Sequence, residues 1–222
     1  VLTAGQGTAY AAAAMEYGVI IAPKHLAFND TEINRLGVSV FMTEQQAREN
    51  ELRGTQASIE DAGALGIMTA FNRVGITAAN AHTGLLKNIL RGEWGFKGLE
   101  SQDFIMNPNY AVLKEYALNG GTMTTFTGEN TMAAVSEKFA YWTTENVGQD
   151  TELMSAIKQA MTWQAYALAN SNALDGMASS TRLVSVRTWY DNALVAVQVV
   201  FAALTVLAAA MYVLNDRKSK KQ

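Results

Sequence analysis

The chain has 222 residues, enough for one sizeable domain and a small appendage. Its formal net charge is −3, and no long basic block precedes the extreme C-terminus, which argues against a nucleic-acid partner. The chain has no cysteine and only two histidines. This excludes disulfides, Cys-ligated zinc and thiol catalysis, and it disfavours a histidine-rich metal site.

Residues 1–130 alternate between helical and strand-like patterns. Apolar spacing predicts helices over residues 3–17, 43–61, 82–92 and 108–118. It predicts strands at VIIAP (19–23), GIMTAF (66–71), GFKGLESQD (95–103) and GGTMTTF (120–126). Strands separated by single helices indicate βα units and a parallel sheet, so we predict an α/β fold with about half of the eight units of a (β/α)8 barrel.

The chain begins at Val1 and leads directly into an Ala-rich helical pattern, without an initiator Met, a basic segment or a cleavage site. Half a barrel would also leave open sheet edges and an unfilled interior. We therefore expect further sequence, including any export signal, to precede Val1.

Residues 131–170 follow as two helical stretches at the end of the barrel domain. The second begins at Asp150, a favourable N-cap residue. We expect its apolar stripe to pack against the domain; the stripe consists of Leu153, Ile157, Ala160, Gln164 and Leu168. Residues 171–192 are predicted to be a linker.

Residues 193–214 carry no charge, and as a helix they would be roughly 33 Å long, enough to cross a bilayer core of about 30 Å. Trp189, Tyr190 and Tyr212 flank the segment, as interfacial aromatic residues do. Residues 215–222 form a basic tail. A buried core helix is the alternative, but we predict a single-pass anchor in the cell membrane. Its C-terminus would be cytoplasmic and the preceding residues extracellular.

Two predicted strand ends carry reactive side chains. Lys24 and His25 follow VIIAP, and Asp103 closes a later strand. Reactive groups of parallel barrels gather at the carboxyl ends of the strands, where a cation, an imidazole and a carboxylate could hold and attack a polyhydroxylated ligand. Spacing alone leaves two other interpretations open: a solvated Lys-His loop, and an Asp that caps the next helix.

Three segments occur in an order that resembles glycoside hydrolase family 3 of the β-glucosidase type. They are KHLAFNDTEINRLGVSVFMTEQQARE (24–49), GIMTAFNRVG (66–75) and LLKNILRGEWGFKG (85–98). The third is similar to the block that precedes the nucleophile of that family, and a weaker resemblance continues to about residue 170. The resemblance implies that residues 1–130 are the C-terminal half of a (β/α)8 TIM-type barrel.

The resemblance also implies roles for individual residues. Asp103, followed by the aromatic Phe104, would be the nucleophile. Lys24 and His25 would bind hydroxyl groups of the sugar in the −1 subsite, and Met68 and Phe71 would form an apolar wall. The implied activity is that of a retaining, exo-acting β-glycosidase, and its two-carboxylate chemistry requires no metal or organic cofactor.

The chain differs from the family pattern in ways that leave a second function open. The strand before Asp103 contains Glu100, Ser101 and Gln102, where the family is usually apolar. A buried Glu100 would be costly unless it points into the polar barrel mouth or finds a partner. The alternative is therefore a catalytically degenerate, membrane-anchored glycan-binding protein.

The acid/base of the family is usually a Glu on a second, α/β-sandwich domain. We expect that domain upstream of Val1, and little or no turnover from this chain alone.

Overall fold

The computed structural model describes residues 2–35, 38–104, 113–125, 142–177, 180–182 and 184–219. It forms two compact units, Val1–Gly176 and Met177–Gln222. The first unit has an α/β fold in which helices and strands alternate along the chain, as the sequence predicts.

A parallel sheet forms the centre of the first unit. Strands β1 (Lys24–Leu26), β2 (Gly66–Thr69) and β3 (Leu99–Gln102) lie side by side in chain order. Met123 adds a parallel bridge to Ser101, next to β3. Four successive segments of the chain therefore contribute to one parallel sheet.

The two faces of this sheet have different environments. Ile67, Thr69, Glu100 and Gln102 are buried on one face. The register partners on the other face, Lys24 with Met68 and Ser101 with Met123, are exposed or partly exposed. In the part of the chain that the structure describes, the sheet is therefore covered on one side and open on the other.

The helices of the first unit are α1 (Leu2–Glu16), α2 (continuous through Glu44–Gln46, Ala47–Leu52 and Arg53–Glu60), α3 (Gly84–Glu93), α4 (Leu113–Leu118), α5 (Thr144–Gln149) and α6 (Thr151–Ala169). Helix α1 packs closely on α2, where a Cβ at Gly7 would lie 2.9 Å from Ser58 Oγ. The core contains Leu26, Leu52, Ile67, Leu86, Leu90 and Phe96.

Two sequence predictions are corrected by the structure. The first strand is Lys24–Leu26 rather than 19–23. Before it, only the carbonyls of Ile21 and Pro23 bond to β2 among the described residues, and Pro23 has no N–H group to donate.

In α6, Leu153 and Ala160 are buried as predicted, but Leu168 is 39% exposed and Ala167 is buried in its place. The N-cap prediction is confirmed, since Asp150 Oδ1 accepts from Leu153 N–H at 3.0 Å. Parts of predicted segments 108–118, 120–126 and 131–170 fall outside the described residues.

A small second sheet lies at the carboxyl end of the main one and is not evident in the sequence. Its strands are Ser39–Val40, Arg73–Val74 and Thr77–Ala78. The last two form a hairpin through Gly75, which has a φ of +59°.

The guanidinium group of Arg91, on α3, joins three parts of the first unit. Its Nη1 donates to the carbonyls of Phe96 and Gly98, both at 2.9 Å. Nε and Nη2 donate to the Gly120 carbonyl at 3.1 and 2.7 Å. The Trp163 ring of α6 stacks 3.8 Å from the guanidinium carbon. Burial lowers the pKa of Arg91 to about 10, so the group stays charged at neutral pH.

Glu100 is completely buried on the covered face of the sheet, so it does not point toward the open side. Neither of its carboxylate oxygens has a hydrogen-bond partner among the described residues. Burial raises the pKa of Glu100 to about 7, and the nearby hydroxyls of Tyr116 and Thr69 and the charge of Arg91 offset part of the rise.

The second unit contains one long helix, α7 (Trp189–Ser219). Its Trp189–Asp216 stretch has a mean hydropathy of 2.4, and none of its most apolar window is buried. It is long and apolar enough to cross a membrane.

Replacing Arg91 with Met is expected to lower the free energy of unfolding by about 3 kcal/mol or more, because buried carbonyls lose their donors. Arg53→Met is a suitable control, since Arg53 is 45% exposed and its one ion pair within the described residues is a 3.7 Å contact with Asp61. We expect the control to stay within about 0.5 kcal/mol of the original chain. Urea unfolding of the chain in detergent, followed by tryptophan fluorescence, measures both. Equal losses of unfolding free energy in the Arg91 and Arg53 variants would contradict the structural role of Arg91.

Glu100→Gln is expected to change how stability depends on pH. Because the folded-state pKa of Glu100 is raised from 4.5 to about 7, the folded state binds the proton more tightly. Stability from Glu100 is therefore present below about pH 4.5 and is lost as pH rises through about 7, by up to about 3 kcal/mol. The difference between original and variant, from urea unfolding at a series of pH values, should follow this curve. Parallel curves would show that Glu100 is not buried as described.

Candidate active site

The carboxyl ends of the three main strands bring together the residues that the sequence singled out. His25 lies within β1, Asp103 directly follows β3, and Phe71 follows β2. The backbone N–H of Asp103 donates to the Thr69 carbonyl at 3.1 Å, so the chain continues to pair with β2 past the end of β3. This pairing brings the Asp103 side chain to the edge of the sheet where it can contact His25 of β1.

Both carboxylate oxygens of Asp103 have partners. Oδ1 accepts from the Phe104 backbone N–H at 2.8 Å, and Oδ2 lies 3.1 Å from Nε2 of His25. Arg35 contributes a positive charge, with its Nη1 3.9 Å from Oδ2. The Asp103 side chain is only 8% exposed. The carboxylate is thus oriented by donors on both oxygens and faces a cation.

Asp103 and Asn29 together assign the proton of His25 to Nε2, because the carboxylate beside Nε2 can only accept a hydrogen bond. The Nδ2 of Asn29 lies 3.1 Å from Nδ1 of His25, and an amide nitrogen can only donate. Nδ1 is therefore the acceptor, and Nε2 carries the proton that points at Asp103. The chain turns back between these residues at Phe28, whose φ of +66° is rare for an aromatic residue. Such backbone strain is commonly found at functional sites.

The surroundings of His25 favour the neutral form of its imidazole. Burial lowers the pKa of His25 below its usual value. The charge of Asp103 offsets part of this effect, and the charges of Lys24 and Arg35 add to it. A neutral ring with its proton on Nε2 donates a hydrogen bond to the carboxylate without forming a full ion pair.

Arg35 connects the carboxylate to an aromatic ring. Its guanidinium carbon lies 4.6 Å from the centre of the Phe71 ring, and its Nε lies 3.2 Å from Glu32 Oε2. Phe71 itself is 6% exposed. The cation–π contact and the pairing with Glu32 hold Arg35 beside Asp103.

The other residues predicted for the site lie farther along the open face. Lys24 is exposed in β1, and its register partner is the partly exposed Met68. Within the described ranges, Lys24 and Asp103 form no ion pair. The structure therefore joins His25 to Asp103 and Phe71 to Arg35, and it leaves Lys24 and Met68 beside them on the sheet.

Sequence reasoning missed Asn29 and Arg35. Both lie in the KHLAFNDTEINRLG stretch that follows β1. The available signal was the position of this loop at a strand's carboxyl end, where polar side chains converge in parallel sheets. The return of the loop to His25 depends on the positive φ of Phe28, which no residue pattern indicates.

This arrangement can support nucleophilic chemistry. A carboxylate whose two oxygens are oriented by separate donors presents its remaining lone pairs in a defined direction. Arg35 also has donors available for an oxygen-rich ligand. In the described chain this carboxylate is accompanied by a cation, a neutral imidazole and an aromatic ring, a set suited to binding and attacking a polyhydroxylated molecule.

Comparison with known proteins shows the family to which the chain belongs. The glycosyl hydrolase family 3 N terminal domain matches residues 2–122. The probable beta-glucosidase J of Emericella nidulans is 38% identical over 104 residues, which are 47% of this chain and 12% of that protein. Beta-glucosidase B of the same organism is 40% identical over 87 residues, covering 39% of this chain and 10% of that protein.

Solved structures show the same fold. Beta-glucosidase 3B from Thermotoga neapolitana, in complex with glycerol, superposes with a TM-score of 0.64 at 21% identity, over 75% of this chain and 23% of that one. A beta-glucosidase from Paenibacillus barengoltzii gives a TM-score of 0.61 at 22% identity, over 80% and 20% of the respective chains. The chain thus spans less than a quarter of the length of these relatives. Because the family model covers more than half of the chain, the chain belongs to glycoside hydrolase family 3.

Proposed function

We propose that this chain carries the nucleophile of a retaining, exo-acting β-glycosidase, similar to a β-glucosidase. It would hydrolyse glycosidic bonds of oligosaccharides or glycosides at the cell surface. The observation that carries the proposal is the Asp103 carboxylate, held by the Nε2–H of His25 and the N–H of Phe104 at the carboxyl edge of a parallel sheet. The β-glucosidase relatives support the choice of substrate class.

In the proposed reaction, Asp103 attacks the anomeric carbon of the sugar. The glycosidic C–O bond breaks as the new ester bond forms, and a separate acid protonates the leaving oxygen. Water then attacks the anomeric carbon of the glycosyl-enzyme and transfers its proton to the same group, now a base. The sugar leaves with its configuration retained, and the Asp103 carboxylate is regenerated.

We assign the remaining site residues to sugar binding. Lys24 and Arg35 would donate to hydroxyl groups, and Met68 and Phe71 would form the apolar wall. His25 would contact the sugar, as the resemblance implies, and its Nε2 proton points at the Asp103 carboxylate. His25 would therefore have a second role besides hydroxyl binding, because it would also orient the nucleophile.

Residues 1–130 would form the C-terminal half of a (β/α)8 barrel, with 131–170 as its closing helices. The open face of the sheet, where Lys24 and Met68 lie, would be the barrel interior. A first barrel half and an α/β-sandwich domain would lie upstream of Val1; the relatives are longer than this chain, which covers 12% and 23% of two of them. The sandwich domain would supply the acid/base.

We propose that residues 171–192 are a linker, 193–214 a transmembrane helix and 215–222 a cytoplasmic basic tail. The catalytic part would then be extracellular. The length and apolar composition of α7, and the exposure of its most apolar window, support a bilayer as its surroundings.

A membrane-anchored glycan-binding protein without turnover is the second candidate. The observation that favours it is the polar strand before Asp103, where Glu100 is buried without a hydrogen-bond partner in the described chain. Burying this carboxylate without a partner costs free energy. A strand of this kind would suit a site that still binds sugars but no longer cleaves them.

Asp103→Asn, in the protein expressed from its complete reading frame, is expected to lower aryl β-glucoside hydrolysis at least about 1000-fold. Asp103→Gly should regain turnover with azide, which fits the space of the lost carboxylate and yields the α-glycosyl azide. Asp61→Asn is the matched control, because Asp61 is 54% exposed and far from the site in sequence. Its activity should be unchanged.

Three results would decide between the two candidates. Loss of activity in Asp103→Asn together with azide rescue supports the glycosidase. Sugar binding without turnover in the original protein supports the glycan-binding alternative. Full activity in Asp103→Asn would overturn the assignment of the nucleophile.

The double variant Val200→Arg, Leu204→Arg is expected to release the chain from membranes. Each Arg near the centre of a span costs about 2.5–3.5 kcal/mol on the insertion scale. Alkaline carbonate extraction should leave the original chain in the membrane pellet and move the variant to the supernatant. The control Leu174→Arg replaces an exposed residue of the first unit and should stay in the pellet. An original chain found in the supernatant would contradict the anchor.

A further inference from the structure

The polar residues of the apolar stretch of α7 follow a heptad spacing. Gln198, Thr205 and Tyr212 are the residues of 193–214 with polar groups on their side chains, and each is seven positions from the next. Asp191 continues the spacing by one step toward the N-terminus. Seven residues are close to two turns of an α-helix, so all these side chains lie on one face.

Small residues widen this polar face. Ala202 and Ala209 lie four positions after Gln198 and Thr205, on the same side of the helix. We call this face the seam; it consists of Gln198, Ala202, Thr205, Ala209 and Tyr212. The opposite face carries apolar side chains of mixed size, among them Val200, Ala203 and Leu207. The helix is therefore asymmetric in the placement of its polar groups, even though almost every residue in it is apolar.

Gln198 has the strongest need for a partner. Thr205 satisfies its own hydroxyl by donating to the Phe201 carbonyl at 2.8 Å. The side-chain amide of Gln198 makes no hydrogen bond with the residues that the structure describes. In the hydrocarbon of a bilayer, an amide without a partner is costly, so Gln198 favours association with another polar group at the same depth.

We infer that the seam is the interface of a parallel homodimer, in which Gln198 of one copy hydrogen-bonds to Gln198 of the other. The inference rests on the proposed transmembrane span. In a parallel symmetric pair each seam residue meets itself, and an amide can both donate to and accept from an identical group. A membrane orients all copies of the chain the same way, which makes the parallel arrangement available.

The spacing also defines the geometry of the pair. A seven-residue repeat gives a left-handed crossing of about 20°, with seam residues in contact over several turns. Ala202 and Ala209 allow the two backbones to approach closely near each polar contact. A second copy therefore satisfies both the hydrogen bonding and the shape of the seam.

Single-cysteine scanning tests the inference, because the chain has no cysteine of its own. One cysteine is introduced at each position from 195 to 209 of the full chain, in membranes, and oxidative crosslinking is measured. Maxima are expected at positions 202, 205 and 209, with minima at 200 and 207, and position 198 should fall below the other seam positions because its cysteine removes the Gln198 amide. A flat profile, maxima on the opposite face, or crosslinks only to a protein of another mass would overturn the homodimer.

A matched pair of variants tests the part played by Gln198. In the Thr205→Cys background, Gln198→Leu should weaken dimerisation about fivefold or more, whereas Val200→Leu on the opposite face should have no effect. Carbonate extraction of the same membranes separates the two proposals. A chain that stays in the pellet but does not crosslink refutes only the homodimer. A chain released from the membrane refutes the span on which it rests.

Discussion

Arg91 places four hydrogen bonds at one point between β3, the Gly120 turn and α6. The three bonded carbonyls belong to segments that lead into or out of strands, so a single guanidinium group sets the spacing of the sheet and its helices. A charged group with this little solvent around it is stable because each of its three nitrogens reaches an acceptor and two aromatic rings cover its faces. The arrangement is also selective: no other side chain combines a planar fork of donors with stacking on both sides.

The position of Asp103, the proposed nucleophile, depends on the same framework. Gly98, bonded to Arg91, lies just before β3, and Asp103 lies just after it. The strand between them is short and polar, and Glu100 and Gln102 are buried on its covered side. Asn80 bonds to Gln102 at 2.5 Å and secures the last residue before Asp103. Specific polar contacts therefore hold this strand in place, whereas an apolar strand would be held by the packing of its side chains.

The βα alternation, the Asp150 cap and the placement of His25 and Asp103 at one sheet edge could be derived from the sequence, because each depends on local periodicity or on strand direction. The start of β1 was misplaced, since apolar residues 19–23 resemble a strand while Pro23 limits their pairing. Arg35 and Asn29 were missed because their approach to the site depends on a positive φ at Phe28, a tertiary outcome. The face on which Glu100 lies was likewise decided by the register between β2 and β3.

The strand that carries His25 is the outermost strand of the described sheet. β1 has β2 on one side and no described strand on the other. Outer strands open more readily than central ones, and their free N–H and C=O groups accept an added strand from any source. The proton that orients Asp103 therefore comes from the least protected part of the sheet. A native neighbour at that edge would order the site and at the same time prevent strand-to-strand aggregation, so catalytic order and solubility would depend on the same row of backbone groups.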